Sequence, residues 1–447
     1  MTLTLGLAAL LPLSAFAEDD SGGFGADGFF DPDAEPSPVE VEAAPGLADW
    51  PVEEAEPLLG SPVEFDEPEH PAIEFGGYIG AEARFFLEDP GLAHQLDHFQ
   101  PSLLFQPELF FETEDRRDQF RLTPFLRYDP KDSQRTHFDL REANWRRVGD
   151  GWDVLAGVGK VYWGVTESRH LVDLINQVDG VEDIDEEDRL GQPMLNLNLV
   201  RDWGTFSIFA MSGFRERTFP GTAGRLRPTL AVRGDDPIFE SDLEHWYPEV
   251  ALRYQHTLGD LDIGAHYFHG TGREPSFVLS EDGSFLRPRY EIINQVGLDL
   301  QYTQDAWLWK LEAIARSGHG SPFFAAVGGF EYTFFQVFES KADLGILMEY
   351  LYDGRDEEAP PTAFENDVFA GARLALNDTQ DTSVLAGAIY DPSDSTAAIL
   401  VEAERRLGEN WKVELEARLF AGSTEGSDSF QQLGEDGFVG LRVSRHF

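Results

Sequence analysis

The sequence predicts an all-β fold: a transmembrane antiparallel β-barrel of about 18 strands, within a range of roughly 16–18. Three observations predict it. Short segments of alternating apolar and polar residues recur from residue 72 to residue 447. The connections between these segments alternate between short turns and long loops. The last segment is itself a strand of this kind and ends on an aromatic residue, Phe447.

The alternation is clearest in residues 411–419. One face of this segment carries Trp411, Val413, Leu415, Ala417 and Leu419, and the other carries Lys412, Glu414, Glu416 and Arg418. Period-two patterning is typical of a β-strand with one apolar face. A soluble sandwich would turn its charges outward, whereas a membrane barrel turns them into its lumen. The alternation alone leaves both interpretations open.

The connections favour the barrel. About 18 segments of roughly 10–14 residues are near the length needed to cross a bilayer at a tilt. Short turns fall at 114–118, 148–152, 201–204, 258–260, 303–306, 339–342, 377–381 and 407–410, and longer loops at 164–191, 215–245, 271–287, 353–365 and 421–436. Membrane barrels have short turns at one end and long loops at the other. An even strand number then predicts both termini on the periplasmic side.

The terminal segment, residues 434–447, places Val439, Leu441, Val443 and Phe447 on one face, with Arg445 among them. It resembles the last strand of Gram-negative outer-membrane barrels, in which a terminal aromatic residue marks the strand for insertion. The resemblance implies that Phe447 is an insertion signal and that the barrel-assembly machinery is a partner.

The amino-terminal region divides into two further parts. Residues 1–17 read as a signal peptide, because an apolar run closes on Ala15-Phe16-Ala17. Residues 18–71 contain no basic residue, and their acidic, proline-rich composition predicts a disordered periplasmic tail. The alternative is a docking segment around Trp50 and Phe65 for a periplasmic partner. Residues 72–447 form the predicted barrel.

Composition excludes several classes of function. The net charge of −48 argues against a nucleic-acid partner, because phosphate would be repelled. The chain has no cysteine, so an exported protein of this size depends on backbone pairing and burial for stability. No recognisable hydrolase elbow, zinc-protease or phosphate-loop motif occurs, which predicts that the protein is not an enzyme.

A family resemblance covers about residues 138–180. The residues that suggest it are Leu140-Arg-Glu-Ala-Asn144, Gly157-Val-Gly-Lys160, Val161-Tyr-Trp-Gly164, Val172-Asp173, Asn176 and Asp179. The segment resembles an uncharacterised porin-like outer-membrane family, which is related in architecture to the alginate-export porin. Asn144 stands where that family has an aromatic residue, and Gln177 where it has proline. The resemblance implies a barrel in the cell outer membrane.

Alternation predicts a set of charged residues in the lumen that could form a pore constriction: Arg121, Arg127, Arg141, Glu142, Lys160, Glu349, Arg373, Glu416 and Arg418. Opposed charges across a water-filled pore can set its selectivity. The alternative is that these charges only solvate the wall. The direction of Glu142 is ambiguous, because Phe138 and Leu140 place it on the lipid face unless a β-bulge intervenes.

Two long loops are expected to shape the pore entrance. Residues 171–175 are too apolar for a loop in water, so they are expected to pack inside the barrel mouth. Gly164 is expected to allow a sharp turn before them through a positive φ. Asp173, Asn176 and Asp179 would then lie near arginines of the next loop, namely Arg215, Arg217, Arg225 and Arg227. Those arginines could bind an anionic group, or could pair internally with acidic loops.

The acidic residues 181–188 are interpreted as a solvated external loop. A divalent cation bound there is the weaker alternative, because the spacing is not that of an EF-hand. No cofactor is expected otherwise.

These observations predict a channel for passive diffusion or facilitated transport of small hydrophilic or anionic solutes. The alternatives are a barrel enzyme acting on lipid, and a non-conducting structural or adhesive barrel. The expected partners are outer-membrane lipid, lipopolysaccharide and a small solute, and the oligomeric state stays open.

Overall fold

The computed structural model describes residues 72–393, 395–422 and 433–447. The predicted signal peptide and acidic tail lie outside the described residues. The strands are β1 (Ala72–Phe86), β2 (Phe99–Glu112), β3 (Asp118–Tyr128), β4 (His137–Gly149), β5 (Trp152–Gly159), β6 (Gln192–Arg201), β7 (Gly204–Met211), β8 (Ile238–Phe239), β9 (Glu249–Leu258), β10 (Leu261–Thr271), β11 (Ser276–Leu279), β12 (Leu286–Tyr290), β13 (Ile292–Gln304), β14 (Trp307–Gly318), β15 (Gly320–Phe334), β16 (Asp343–Asp353), β17 (Asn366–Ala375), β18 (Ser383–Asp391), β19 (Thr396–Leu407), β20 (Trp411–Ala421) and β21 (Phe438–His446). Two short 3₁₀ helices cover Glu244–Trp246 and Val337–Glu339.

Eighteen of these strands form one antiparallel sheet in which each strand pairs with its neighbours along the chain. The sheet closes because β1 pairs with both β2 and β21. The remaining strands, β8, β11 and β12, form a separate three-stranded sheet in the long loops. The predicted all-β barrel of about 18 strands is confirmed. Among the described residues, no helix has the length and apolar character needed to cross a membrane.

The two ends of the barrel differ as the sequence predicts. At the turn end, only residues 150–151 separate β4 from β5, and residues 202–203 separate β6 from β7. At the loop end, residues 160–191 join β5 to β6, and residues 212–248 join β7 to β9. This asymmetry places every long connection at one mouth, where the loops can reach into the lumen.

The outer surface is apolar and the inner surface is polar. On β3, Phe120, Leu122 and Leu126 are 45%, 42% and 47% exposed, whereas the alternate residues Thr123 and Arg127 are buried. The same alternation on β16 exposes Met348 and Tyr350 and buries Glu349. A soluble β protein hides its apolar face, so this inversion is the pattern of a barrel that faces lipid.

A β-bulge settles the direction of Glu142. Thr123 pairs with Glu142 and Pro124 pairs with Leu140, so Arg141 is the extra residue on β4. Pro124 has no N–H to donate to the ladder, which favours an irregularity at this position. The bulge turns both Arg141 and Glu142 inward, where they are 3% and 6% exposed.

The terminal strand seals the barrel. The Phe447 N–H donates to the Gly77 carbonyl at 3.1 Å, and the Phe447 ring lies 5.6 Å from that of Phe75. Gly77 has a φ of 124°, and a Cβ there would lie 2.2 Å from the Gln106 oxygen. Arg445 is accommodated on the outer face because its guanidinium lies 6.0 Å from the Trp411 ring centroid.

Candidate functional site

Residues 160–191, here called the inward loop, fold into the barrel from the loop end. Leu171, Val172, Leu174 and Ile175 are between 0% and 4% exposed, and they belong to one apolar cluster with wall residues such as Phe268. The apolar run therefore packs inside the barrel mouth, as its sequence predicts. The loop narrows the lumen because its backbone crosses the interior and does not project outward.

Two wall carboxylates anchor the inward loop. Glu312 of β14 accepts hydrogen bonds from the N–H groups of Val165, Thr166 and Val172 at 2.7, 3.0 and 3.1 Å. Glu349 of β16 accepts from the N–H groups of Glu167 and Ser168, each at 2.8 Å. A carboxylate has only acceptor sites, so it suits a loop whose buried N–H groups lack strand partners. The constriction residues predicted from the sequence include Glu349 but not Glu312, although period-two spacing from Lys310 places Glu312 in the lumen.

In the described part of the chain, Asp173, Asn176 and Asp179 form no ion pair or hydrogen bond with the arginines of the next loop, and only Asp173 borders a cavity together with one of them, Arg217. Asp173 accepts from the Gly164 N–H at 3.0 Å, and Asn176 accepts from the Val161 N–H at 2.8 Å. Asp179 pairs with Arg141 of β4 at 2.8 Å. The first two side chains are used by the loop itself, because buried backbone donors require partners.

Gly164 is required for close packing and not for the positive φ that the sequence suggested. Its φ is not among the positive values found in the described residues. A Cβ at this position would lie 2.2 Å from Nδ1 of His170, so the glycine is needed for close packing.

The arginines of residues 212–248 pair internally, which was the alternative left open by the sequence. Arg215 pairs with Asp139 at 2.5 Å, Arg217 with Glu186 at 2.7 Å, and Arg225 with Asp436 at 2.5 Å. Arg227 donates to the carbonyls of Pro228 and Thr222 at 2.9 and 3.0 Å. Arg215, Arg217 and Arg225 have carboxylate partners, whereas Arg227 donates only to carbonyls and its buried Nε has no acceptor among the described residues.

The acidic residues 181–188 lie inside the barrel, so their interpretation as a solvated external loop is wrong. Glu182 receives the Nε–H of Arg127 at 2.7 Å, Asp183 pairs with Arg84 at 2.5 Å, and Asp185 pairs with Arg418 at 3.0 Å. Burial alone would raise the pKa of Asp183, but the guanidinium groups of Arg84 and Arg418, together with hydrogen bonds to the carboxylate, lower it. Lumen arginines from distant strands thus neutralise a segment whose own composition suggests solvent.

The same pairing argues against a metal site here. His137, Asp179 and Glu182 bring potential ligand atoms within 4.8 Å of one another. However, Asp179 is paired with Arg141 and Glu182 with Arg127, so both carboxylates already have cationic partners. A divalent cation would have to displace guanidinium groups to bind.

The predicted constriction residues lie in the lumen, and several of them contact the inward loop. Arg127, Arg141, Glu349, Arg373 and Arg418 hold this loop to the wall. Arg121 pairs with Glu142 at 3.4 Å, Arg373 with Glu167 at 2.6 Å, and Arg418 with Glu416 at 2.8 Å. Of the candidates, Glu142, Lys160, Arg373, Glu416 and Arg418 line a cavity in the lumen.

This cavity, here called the vestibule, has a volume of about 690 Å³ and lies between the inward loop and the turn end of the wall. Its carboxylates are Glu82, Glu142, Glu167, Asp173, Asp183, Asp185, Glu187, Asp188, Glu402, Glu404, Glu414 and Glu416. Its Arg and Lys side chains are Arg84, Lys160, Lys310, Arg373, Arg418 and Arg442. Carboxylates outnumber these cations two to one.

The loop end is covered more tightly than the turn end. Phe86, Leu96, Ile184, Leu226, Leu433 and Phe438 form an apolar cluster at the loop end. Near the turn end, the side chains of Glu404 and Glu414 are 17% and 29% exposed. In the described part of the chain, the vestibule is therefore more accessible from the turns than from the long loops.

His170 of the inward loop stands at the inner boundary of the vestibule. Its ring lies 3.2 Å from Glu187 and 3.5 Å from Glu312. Burial alone would lower the pKa of His170, but these two carboxylates raise it well above its usual value. The raised pKa favours the protonated form of the ring, which would add positive charge to an acidic cavity.

No known protein family and no curated protein matches the sequence. Among solved structures, the chain is similar to Wzi, an Escherichia coli outer-membrane protein of group 1 capsule assembly described as a carbohydrate-binding β-barrel, at 9% identity and a TM-score of 0.46, over 83% of this chain and 84% of Wzi. It is also similar to a triple variant of the Rh. blastica porin, at 13% identity and a TM-score of 0.44, over 84% of this chain and 100% of the porin. Likeness at this level carries no functional conclusion. The family resemblance of residues 138–180 stays a prediction.

Proposed function

We propose that the protein is an outer-membrane channel for the passive or facilitated passage of small hydrophilic solutes. The observation that carries the proposal is the combination of an apolar outer belt with a polar lumen containing a cavity of about 690 Å³. The barrel strands are 8 to 15 residues long, which brackets the ~9–11 residues that cross a bilayer at a tilt. A barrel of this strand number encloses space that side chains alone do not fill.

The inward loop makes this a constricted channel and not a wide, general one. Glu312 and Glu349 fix the loop across the lumen, and the apolar cluster at the loop end restricts entry there. Such a pathway admits solutes that fit the vestibule and excludes larger ones.

The charge of the vestibule favours cationic or zwitterionic solutes over anions. Twelve carboxylates face six Arg and Lys side chains around one confined space. Low-dielectric walls focus the field of lining charges, and this field raises the local concentration of oppositely charged solutes. The anionic preference suggested by the sequence relied on lumen arginines, and two of these that line the vestibule, Arg373 and Arg418, are paired with Glu167 and Glu416.

The proposed orientation places the turn end and both termini in the periplasm, with the long loops outside. Lipid contacts the outer belt, and lipopolysaccharide surrounds the loop end. No catalytic role is proposed.

Liposome swelling with solutes of matched size tests this function. We expect small amino sugars to enter faster than neutral sugars, and sugar acids to enter slowest. Equal rates for the three classes would contradict the proposed preference. The absence of uptake by folded, inserted protein would instead favour a closed solute-binding barrel, for which the packed loop end is the supporting observation.

Phe447 is expected to be important for assembly beyond its contribution to packing. The change Phe447→Ser is expected to lower the amount of protein in the outer membrane while export to the periplasm continues, because the terminal aromatic is the proposed insertion signal. Fractionation and immunoblotting measure both quantities. The exposed aromatic Phe335, which lies in the turn after β15, provides the control Phe335→Ser. Equal outer-membrane levels of Phe447→Ser and the unchanged protein would contradict the assignment.

A further inference from the structure

Arg189, near the end of the inward loop, is a buried cation whose side chain has no hydrogen bond or ion pair among the residues that the structure describes. The residue is only 6% exposed, and its backbone is fixed by a β-bridge to Val178 and by a hydrogen bond from Arg141 to its carbonyl at 3.0 Å. Within the described ranges, its side chain makes no hydrogen bond or ion pair, and its buried Nε has no acceptor. Burying an unpaired charge is costly, so a guanidinium held in this way suggests that its partner is a ligand.

The Arg189 side chain lines a small cavity, here called the arginine pocket, with a volume of about 30 Å³. Five guanidinium groups surround it, those of Arg169, Arg189, Arg217, Arg273 and Arg316. Three carboxylates are also present, those of Asp173, Glu186 and Glu274. A buried water needs roughly 10–15 Å³ of such space, so the pocket holds a group of two or three small atoms and not a sugar ring.

The other four arginines already have partners. Arg217 pairs with Glu186 at 2.7 Å and Arg316 with Glu274 at 3.1 Å. Arg273 and Arg169 reach outside the pocket lining, to Glu249 at 2.8 Å and to Asp353 at 3.0 Å. Among the described residues, Arg189 is therefore the one guanidinium of the pocket that has no hydrogen bond or ion pair.

Two acidic groups on which Arg189 acts electrostatically, Asp173 and Glu187, have other partners. Asp173 accepts backbone N–H groups from Trp163 and Gly164. Glu187 lies 3.2 Å from the ring of His170. Arg189 acts electrostatically on both carboxylates, but in the described part of the chain neither forms an ion pair or a hydrogen bond with its guanidinium.

We propose that the arginine pocket binds one small carboxylate group through Arg189. A planar carboxylate accepts two parallel hydrogen bonds from a guanidinium, and the two groups match in shape and charge. The pocket volume suits one such group. His170 and Asp173 line both the arginine pocket and the vestibule, so the carboxylate can belong either to a small free acid or to a larger solute that extends into the vestibule. The site does not require the barrel to conduct.

Ligand-observed NMR on the detergent-solubilised protein tests the proposal, with sodium formate as the probe and sodium chloride adjusted to hold ionic strength constant. We expect saturable formate binding that weakens at least about tenfold in Arg189→Gln, the effect of losing a charge-assisted hydrogen bond. Arg117→Gln is the matched control, because Arg117 lies in a turn with its side chain 53% exposed. This control is expected to bind formate as the unchanged protein does.

Galacturonate in a second arm distinguishes the two sources of the carboxylate. Binding of formate alone identifies a small free acid, and Arg189-dependent binding of both identifies the carboxylate end of a larger solute. Formate binding that is equal in Arg189→Gln and the unchanged protein would overturn the proposal. So would the absence of saturable formate binding, galacturonate binding without formate binding, or competition by chloride at equal concentration.

A folding check on Arg189→Gln and a second variant that keeps the positive charge ensure that weaker formate binding is not mistaken for misfolding. Arg189→Gln is expected to fold, because the substitution removes an unpaired buried charge, and heat-modifiable gel migration checks this. Arg189→Lys keeps the charge but loses the planar fork, so it is expected to bind formate more weakly than arginine does. Unchanged formate binding in a folded Arg189→Lys protein would overturn the forked geometry.

Discussion

Replacing Glu312 and Glu349 together with glutamine is expected to raise the single-channel conductance several-fold while the barrel stays folded. Each carboxylate accepts several N–H groups of the inward loop. A glutamine has one acceptor oxygen, and its NH₂ group would face further donors. Each hydrogen bond to a charged group contributes about 1.5–3 kcal/mol, so losing several of them allows the loop to leave the lumen. Planar-bilayer recording measures the change.

Glu331→Gln is the control for that pair. Glu331 lies on β15, between the two anchoring strands in the wall, and no hydrogen bond or ion pair joins it to the inward loop among the described residues. The single-channel conductance of the Glu331→Gln variant is expected to match that of the unchanged protein. Deleting residues 171–179 should widen the channel by the same mechanism, because it removes the buried apolar run. If the double variant of Glu312 and Glu349 and the deletion of residues 171–179 both have the single-channel conductance of the unchanged protein, the inward loop does not limit the pathway.

Glu82→Ala is expected to lower the free energy of unfolding by about 3–5 kcal/mol, the effect of breaking a buried ion-pair network. Glu82 is 6% exposed and lies 2.7 Å from both Arg135 and Arg442 and 3.1 Å from Arg127. Removing its carboxylate leaves these guanidinium groups facing one another with less compensation. Urea unfolding in detergent or lipid vesicles, followed by tryptophan fluorescence, measures the loss.

Glu414→Ala is the control for Glu82→Ala. It distinguishes the loss of a buried ion-pair network from the loss of a single, partly exposed carboxylate. The Glu414 side chain is 29% exposed and pairs with Lys412 at 3.3 Å near the turn end. A partly exposed pair of this kind contributes about 0–1 kcal/mol, so a small effect is expected. If the two variants lose equal stability, the Glu82 network is not the structural centre that its geometry indicates.

Local pattern was sufficient to predict the barrel. Period-two alternation on segments such as residues 411–419 predicts both that the segment is a strand and which side of the wall each side chain occupies, because successive side chains point to opposite sides. The turn positions follow from the same alternation, and the strand count follows from both. The bulge at Arg141 was recognised as an alternative but could not be decided, because it depends on what the neighbouring strand presents at Pro124.

The lumen could not be predicted in the same way. The arginines that neutralise residues 181–188 come from strands far away in the sequence, as in the pair between Asp185 and Arg418. Composition within a window carries no information about such partners, so an acidic run looked solvated. The apolar run at 171–175 was the one local signal that the loop turns inward. Arg189 gave no signal, because its lack of a partner is a property of the folded interior alone.

The reversal potential of the unchanged protein in a planar bilayer under a salt gradient tests the central claim most directly. Passage through the acidic vestibule predicts discrete conductance steps and a reversal potential whose sign shows preference for the cation. Steps with anion preference would contradict the assignment of the vestibule as the selective part of the pathway. Folded, inserted protein without conductance steps would contradict the channel itself.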